Sequence, residues 1–177
     1  MTKKEKQQLE EKSRAFLLNA RLTNAQIQGL EKLGYFTAPA SMRHHLNCAG
    51  GLMKHSLNVT NNLLGFDVFK DRASAFRVGM LHDLVKCCCY KPSKTGASYV
   101  YSQPPYPGHG VCSALIAADL GIELSQAERA AIVWHMGAFG LDEDELKEYH
   151  AALQMFPREL ILTHACDHLA SAFEGKE

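Results

Sequence analysis

The sequence predicts an all-α protein, and three observations support that fold class. Apolar residues recur at helical spacing in almost every segment of the 177 residues. Thr, Asp and Ser residues of the kind that cap helix starts precede several of these segments. The helical pattern is lost over about 91–110, which holds four of the six prolines. We therefore expect a helical bundle with one long irregular loop or small hairpin there, with 98–102 as the β candidate.

Two helices are expected in the N-terminal part of the chain, residues 1–38. The first is rich in Lys, Glu and Gln, and Thr23 or Asn24 caps the second, which stops at Gly34. The remaining helices belong to a core at 41–173, which carries the candidate metal ligands. Because no repeat and no shift in composition divides the 177 residues, we expect a single domain.

Signals for helix starts also mark the rest of the chain. A helix that begins at Asp71 is expected to run through Val85, and one that begins at Ser125 is expected to reach about Met136. The other predicted starts are the Gly50-Gly51 pair, Val111, Asp142 and Pro157, the last of which suits a first helical turn.

Composition and charge exclude several classes of protein. Lys plus Arg total 19 and Asp plus Glu total 19, so the formal net charge is zero. That balance argues against an extended surface that binds nucleic acid by bulk electrostatics. No segment approaches the roughly 18 apolar residues of a membrane span, so no membrane partner is expected. The N-terminal lysines lack a following apolar region and three of the six cysteines are consecutive, which together favour a cytoplasmic protein with reduced thiols.

Histidine stands out, with nine residues beside a single Trp. His55 and the adjacent pair His82-Asp83 fall in predicted helices, and Asp167 lies among apolar residues of the last helix. We expect Asp83 to point inward, with open space beside it at Gly79, and a buried carboxylate needs a metal or another cation as its partner. Imidazole and carboxylate ligands suit Mn, Fe, Zn, Ni or Mg. The sequence therefore predicts a metal site.

Five short pieces occur along the chain in this order: Gly50-Gly51-Leu52-Met53-Lys54-His55, Leu81-His82-Asp83-Leu84-Val85-Lys86, Gly108-His109-Gly110, Trp134-His135-Met136-Gly137 and Ala165-Cys166-Asp167-His168-Leu169-Ala170. A His-Asp dipeptide alone carries no information, but the five pieces together resemble the HD superfamily of metal-dependent phosphohydrolases. The resemblance covers most of the chain, from about His44 to Ser171. The subgroup that it resembles has Gly-Gly-Leu before the first histidine and includes HD-domain 3′–5′ exoribonucleases.

The resemblance implies an HD-domain helical bundle that holds one or two divalent ions. The identity of the metal stays open among Mn, Fe, Ni, Zn, Co and Mg. The implied ligands of one ion are His55, His82, Asp83 and Asp167. Members of the family with further histidines bind a second ion, and the matching positions here are His109 and His135, with Asp83 as the bridging carboxylate.

The resemblance also implies a reaction, the hydrolysis of a phosphoester by a metal-activated water. A small phosphorylated substrate is expected, a nucleotide or an oligonucleotide end. Asp83 and Lys86 are the expected catalytic residues, although a solvated lysine at a helix end explains Lys86 equally well. The similar exoribonucleases carry an additional OB module, and nothing in this chain resembles that module. Val111-Cys112 also replaces the polar residues, often including a lysine, that similar proteins have at those positions.

Four further residues complete the predicted site. His45 is expected at the mouth of the pocket, and Lys91 and Tyr101 are expected to contact substrate, because aromatic rings interleaved with lysines suit a nucleobase and a phosphate. Packing of the tyrosines within a hairpin is the alternative. His164 is expected to orient a metal ligand through a hydrogen bond, and His168 is expected to be non-catalytic.

Two other functions stay open on the sequence alone. A zero net charge and the missing accessory module are compatible with a metal-stabilised binding or regulatory module that has little catalytic activity. Imidazole and carboxylate ligands also suit iron, so an HD-type di-iron oxygenase is a further hypothesis. The sequence does not decide the oligomeric state.

Overall fold

The computed structural model describes residues 2–42, 46–93, 95 and 98–174, and it confirms the all-α class. The helices are α1 (Lys3–Asn19), α2 (Asn24–Leu33), α3 (Gly51–Gly65), α4 (Arg72–Leu81), the one-turn α5 (Lys86–Cys89), α6 (His109–Asp119), α7 (Gln126–Val133), α8 (Glu143–Met155) and α9 (Pro157–Phe173). Two three-residue strands, β1 (Tyr90–Pro92) and β2 (Tyr99–Tyr101), form an antiparallel hairpin. No helix in these ranges is both long and apolar enough to cross a membrane.

The helix starts fall into two groups according to their caps. A capping box begins α1, α2, α7 and α8, at Thr2, Thr23, Ser125 and Asp142 respectively. Asp71 caps α4, because its carboxylate accepts a hydrogen bond from the backbone N–H of Ala73 at 3.0 Å. Among the described side chains, none caps the start of α3, α6 or α9. The capped starts confirm the predictions for α2, α4, α7 and α8.

Helix α3 packs against both α4 and α9, and α7 contacts α4, α6 and α9. Helix α1 covers α3 and α4. Tyr35 is fully buried, and its hydroxyl donates a hydrogen bond to the Met80 carbonyl at 2.9 Å, which ties the segment after α2 to α4. Helix α8, in contrast, has no buried residue and packs against α9. The core between these helices includes Leu52, Leu63, Leu81, Leu84 and Ile132, all fully buried.

Helices α3 and α4 approach each other closely at Gly79, where the sequence suggested open space. A Cβ at this position would lie 2.7 Å from the Cα of Thr60 on α3. The expectation of open space is wrong, because the neighbouring helix fills the space beside Gly79. The missing side chain instead allows the end of α4 to lie directly against α3, and His82 follows three residues later.

Helix α4 ends at Leu81 rather than at the predicted Val85, so His82 and Asp83 lie in the turn that follows it. The reason is a side chain that turns back on the helix. The Nδ1–H of His82 donates to the Gly79 carbonyl at 3.0 Å and thereby satisfies a carbonyl of the last helical turn. The adjacent predicted ligands, His82 and Asp83, are therefore presented by a turn and not by a continuous helix.

Helix α7 shows the same arrangement and ends at Val133 rather than at about Met136. The Nδ1–H of His135 donates to the Ile132 carbonyl, three residues earlier, at 2.7 Å. In both helices a histidine just beyond the last residue uses Nδ1 for the backbone. Each ring therefore has its Nε2 left for other contacts.

The hairpin confirms the predicted strand within 98–102 and adds a second strand that begins at Tyr90. Tyr90 lies opposite Tyr101 in the antiparallel register. The Tyr99 hydroxyl donates to the Thr37 carbonyl at 3.2 Å, which holds the hairpin against the segment after α2. The interval between α5 and α6 is thus partly ordered by strand pairing.

Candidate metal centre

Four side chains predicted as ligands of one ion meet inside the bundle. They are His55 from α3, His82 and Asp83 from the turn after α4, and Asp167 from α9. The Nε2 of His55 lies 3.0 Å from Oδ1 of Asp167 and 3.4 Å from Oδ2 of Asp83. The same Asp83 oxygen is 3.3 Å from the Nε2 of His82. Both imidazoles and Asp83 are buried, so the donor atoms converge at a point shielded from solvent.

His55 and His82 face each other through their Nε2 atoms, which are 3.2 Å apart. On each ring, an acceptor engages Nδ1: the Gly79 carbonyl for His82, and the Glu174 carboxylate, at 3.0 Å, for His55. Because these acceptors bind an N–H, two neutral rings would present lone pairs to each other. Such lone pairs repel unless positive charge lies between them, in the form of a proton or a metal ion.

The electrostatics of the cluster indicate the same need for positive charge. Burial opposes protonation of His55, but Asp167, Asp83 and Glu174 outweigh it and raise the pKa of His55 to about 10. Burial lowers the pKa of His82, which favours its neutral form. In the absence of metal, a proton on His55 therefore offsets the charge of the carboxylates around it.

Asp83 connects this cluster to two further side chains. Its Oδ1 accepts a hydrogen bond from Nε2 of His109 at 2.7 Å, and its Oδ2 lies 2.5 Å from Nζ of Lys86. Burial alone would raise the pKa of Asp83, but Lys86, His82 and His109 hold it well below its usual range. Lys86 is itself buried, so the alternative of a solvated lysine at a helix end is wrong.

His135 brings a buried nitrogen atom that has no hydrogen-bond partner among the residues that the structure describes. This atom is Nε2, and Oδ1 of Asp83 lies 3.6 Å from it, too far for a hydrogen bond. A buried acceptor left in this state costs free energy, which a metal ion beside it would remove. The ligand atoms of His135, His82 and Asp83 lie within 4.8 Å of one another, as do those of His55, His82 and Asp167.

His109, predicted with His135 as a ligand of a second ion, is the first residue of α6. Its ring centroid lies 5.3 Å from that of His135. The two rings come together because α6 starts against the end of α7 at Gly110, where a Cβ would lie 2.6 Å from the carbonyl carbon of Val133. The structure thus places His109 beside the second group of ligand atoms, with its Nε2 bonded to Asp83.

His164 lies beside His135 but contacts its backbone and not its ring. The Nδ1–H of His164 donates to the His135 carbonyl at 2.7 Å. Gly137 makes room for this ring, since a Cβ there would lie 2.9 Å from it and the glycine φ is 65°. The contact fixes the turn from which His135 projects.

A cavity of about 580 Å³ opens onto the cluster. Cavities that bind small molecules have roughly this size, about 300–1,000 Å³. His168, which we expected to be non-catalytic, is one of the residues in the cavity wall. The wall also contains Asp83, Asp167, Lys86, His109, Ser41, Tyr90 and Ser171.

The residues predicted to bind substrate are not gathered at this cavity within the described part of the chain. Lys91 and Tyr101 are exposed on the hairpin, Tyr101 to 59%, whereas Tyr90 lines the cavity. Successive strand residues point to opposite faces, so Lys91 points away from the side that Tyr90 occupies. His45 lies outside the described residues.

Glu174 belongs to the cluster, although the sequence analysis did not single it out. It follows α9 directly, and its buried carboxylate contacts Nδ1 of His55. Its position carried one usable signal: Glu174 lies seven residues after Asp167, which places both on the same face two helical turns apart.

The donors of this cluster determine the chemistry that it can support. Imidazole nitrogens and carboxylate oxygens bind borderline and hard divalent ions, and a buried ammonium and a cavity lie next to them.

A scan against protein-family models found no match to the chain, and searches of curated proteins and of solved structures found none.

Proposed function

We propose that the protein is an HD-type, metal-dependent phosphohydrolase that cleaves a phosphoester in a nucleotide or at an oligonucleotide end. One observation carries the proposal: the residues that the family resemblance assigns as ligands, His55, His82, Asp83 and Asp167, surround one buried point. The buried Nε2 of His135 next to these side chains has no hydrogen-bond partner in the described part of the chain, which supports a metal ion as the cation that binds there.

The residues present fit a divalent ion by their chemistry. His55, His82 and Asp167 are a ligand set for one ion, and Asp83, His135 and His109 provide donors for a second. A bound ion would polarise a phosphoryl oxygen and lower the pKa of a coordinated water towards neutrality. Mn, Fe, Ni, Zn, Co and Mg are all compatible with nitrogen and oxygen donors of this kind.

Lys86 and Asp83 have separate roles in this proposal. Burial disfavours the ammonium, but the adjacent Asp83 raises the pKa of Lys86, which keeps Lys86 charged at neutral pH. Lys86 lines the cavity, and in this proposal its ammonium binds a phosphate oxygen of the substrate. Asp83, whose pKa is held low, stays ionised and orients its neighbours through Oδ1 and Oδ2.

The cavity determines which substrates are to be tested. Its volume of about 580 Å³ accommodates a mononucleotide, and two of the basic side chains that line it, Lys86 and His109, contact Asp83. The zero net charge of the chain adds no long-range attraction for a polyanion. A single nucleotide unit, free or at the end of an oligonucleotide, therefore suits the site.

The test combines metal analysis of the purified protein with a panel of phosphoesters: mononucleotides, cyclic nucleotides, an activated aryl phosphodiester and short oligonucleotides, each with Mn, Mg, Ni or Co. We expect Asp83→Ala to abolish both bound metal and turnover. The matched control is Asp144→Ala, which removes an exposed carboxylate on α8. An Asp83→Ala protein that keeps full metal and activity would contradict the proposal.

The same panel separates the alternatives. Bound metal without turnover of any phosphoester would favour a metal-stabilised binding or regulatory module. Iron that is retained on anaerobic purification, with oxygen consumption on exposure to air, would favour a di-iron oxygenase.

A further inference from the structure

We propose that Glu174 is a positioning residue that holds His55 as a metal ligand, an inference that rests on the metal site of the proposed function. Glu174 directly follows α9, and its side chain is 1% exposed. Its two carboxylate oxygens lie 3.0 and 3.1 Å from Nδ1 of His55. The contact joins residues 119 positions apart.

The chemistry of the contact determines which nitrogen of His55 is available to metal. An ionised carboxylate only accepts hydrogen bonds, so Nδ1 of His55 carries the hydrogen and the lone pair is placed on Nε2. That Nε2 faces Asp167 and Asp83, at 3.0 and 3.4 Å. A carboxylate behind a ligating histidine fixes the tautomer and the ring orientation, and it makes the ring a stronger donor.

Helix α9 and the residue after it hold the His55 ring at both of its nitrogens. Asp167 contacts Nε2 and Glu174 contacts Nδ1, each at 3.0 Å. The two carboxylates are seven residues apart, a spacing that places them on one helical face about 10 Å from each other along the axis. The imidazole lies between them, so the rotation and tilt of the ring are fixed by one helix.

Glu174 is itself held in place by α3, the helix that carries His55. The Nδ2 of Asn58, one turn after His55, donates to Oε1 of Glu174 at 3.0 Å. One turn further on, the Nδ2 of Asn62 donates to the Cys166 carbonyl at 3.1 Å. The Asn58 amide thus aims the carboxylate at His55, and the Asn62 amide connects α3 with α9.

Co(II) binding tests this role, because it reports on the ligands without any need for a substrate. Affinity is measured by competition with a chelator, and ligand geometry is measured from the visible absorption of the Co(II)-loaded protein. We expect Glu174→Ala to weaken Co(II) binding by about 10–100-fold. Glu174→Gln retains an acceptor oxygen and should lose less, with a shifted absorption spectrum. Asn58→Ala, which only loosens the carboxylate, should weaken binding in the same direction by less than Glu174→Ala.

The control is Glu148→Gln, which removes one negative charge from an exposed position on α8 and should leave affinity and spectrum unchanged. If Glu174→Ala does not fold, Glu174→Gln and Asn58→Ala carry the same comparison. If the wild type binds Co(II), and Glu174→Gln and Asn58→Ala bind it with unchanged affinity and spectrum, the role of Glu174 is overturned. The proposed function would then still stand. Weakened binding in these variants, together with no phosphoester turnover by the wild type, would support the role and reject the proposed function. A wild type that binds no Co(II) would overturn both.

Discussion

The ammonium of Lys86 lies 2.5 Å from Oδ2 of Asp83, and both side chains are almost completely buried. Breaking a buried ion pair from one side leaves an uncompensated charge. We expect Lys86→Met to destabilise the metal-free protein by about 3–5 kcal/mol, measured by urea denaturation. Metal should bind more tightly, because a positive charge beside the site has been removed, while phosphoester turnover should fall.

Lys147→Met provides the comparison for that variant. Lys147 pairs with Asp144 at 2.7 Å, but both side chains are mostly exposed, so the loss should be at most about 1 kcal/mol. Unchanged turnover in Lys86→Met, with the stability loss present, would limit Lys86 to a structural role.

His135 should be more important for metal than for folding. We expect His135→Phe to reduce the number of bound ions or the affinity for metal, measured by metal analysis after dialysis. The stability of the metal-free protein should change by no more than about 1–2 kcal/mol, because the substitution also removes a buried nitrogen that has no partner among the described residues. His150→Phe, at an exposed position, should leave metal content unchanged. Full metal content in His135→Phe would exclude His135 as a ligand.

The metal-free protein should lose stability as the pH rises. The pKa of His55 is raised from its ordinary 6.5 to about 10 by Asp167, Asp83 and Glu174, against the effect of burial. The raised pKa of His55 stabilises the folded state to its full extent below about pH 6.5. This contribution to the free energy of unfolding is lost between about pH 6.5 and pH 10. The lowered pKa of Asp83 adds a second loss as the pH falls below its ordinary 3.8. Urea denaturation of chelator-treated protein, from below pH 3.8 up to about pH 10, measures both effects.

Metal binding should depend on pH in the opposite direction. An ion on Nε2 of His55 displaces the proton, so affinity should increase with pH and about one proton should be released per ion at neutral pH. Calorimetry in buffers of different ionisation enthalpy counts the protons. Binding with no proton release would show that the ion does not use His55.

Gly79→Ala should separate α4 from α3. The new Cβ would lie 2.7 Å from the Cα of Thr60, so the backbones must move apart, at a cost of about 1–3 kcal/mol. Metal affinity should fall as well, since His82 follows Gly79 by three residues and bonds to its carbonyl. Gly65→Ala on α3, where a Cβ would meet nothing within 4 Å, should instead leave stability unchanged or slightly raised. Equal stability of the two variants would contradict the close approach.

Helix starts were predictable from the sequence where the interaction is local. The caps at Asp71, Ser125 and Asp142 join residues two or three positions apart, so a short window of sequence contains both partners. The same applies to the strand within 98–102. His55 and Asp167 were first selected as candidate ligands from their residue types in predicted helices, and the family resemblance added that they bind one ion together with His82 and Asp83.

The remaining features depend on contacts between distant segments. The space at Gly79 was misjudged because Thr60, which fills it, lies on another helix. The contact between Glu174 and His55 spans 119 residues. The end of α4 at Leu81 was missed because the donor that competes for the Gly79 carbonyl is the His82 side chain, and helix propensity does not include that bond.

The distribution of helix caps determines where the folded protein is expected to open locally. Helices α3, α6 and α9 carry His55, His109 and Asp167, and none of the described side chains caps their starts. The first amides of α3 are protected by backbone bonds, because those of Gly51 and Leu52 donate to the Cys48 and Ala38 carbonyls. The first amides of α6 and α9 depend on packing for protection, whereas α2 and α8 protect theirs with a capping box of their own. Amide hydrogen exchange should therefore be fastest in the first turns of α6 and α9 when metal is withheld. An ion bound between them would join these helices and slow exchange there first, so that deuterium uptake would map the site without any knowledge of its substrate.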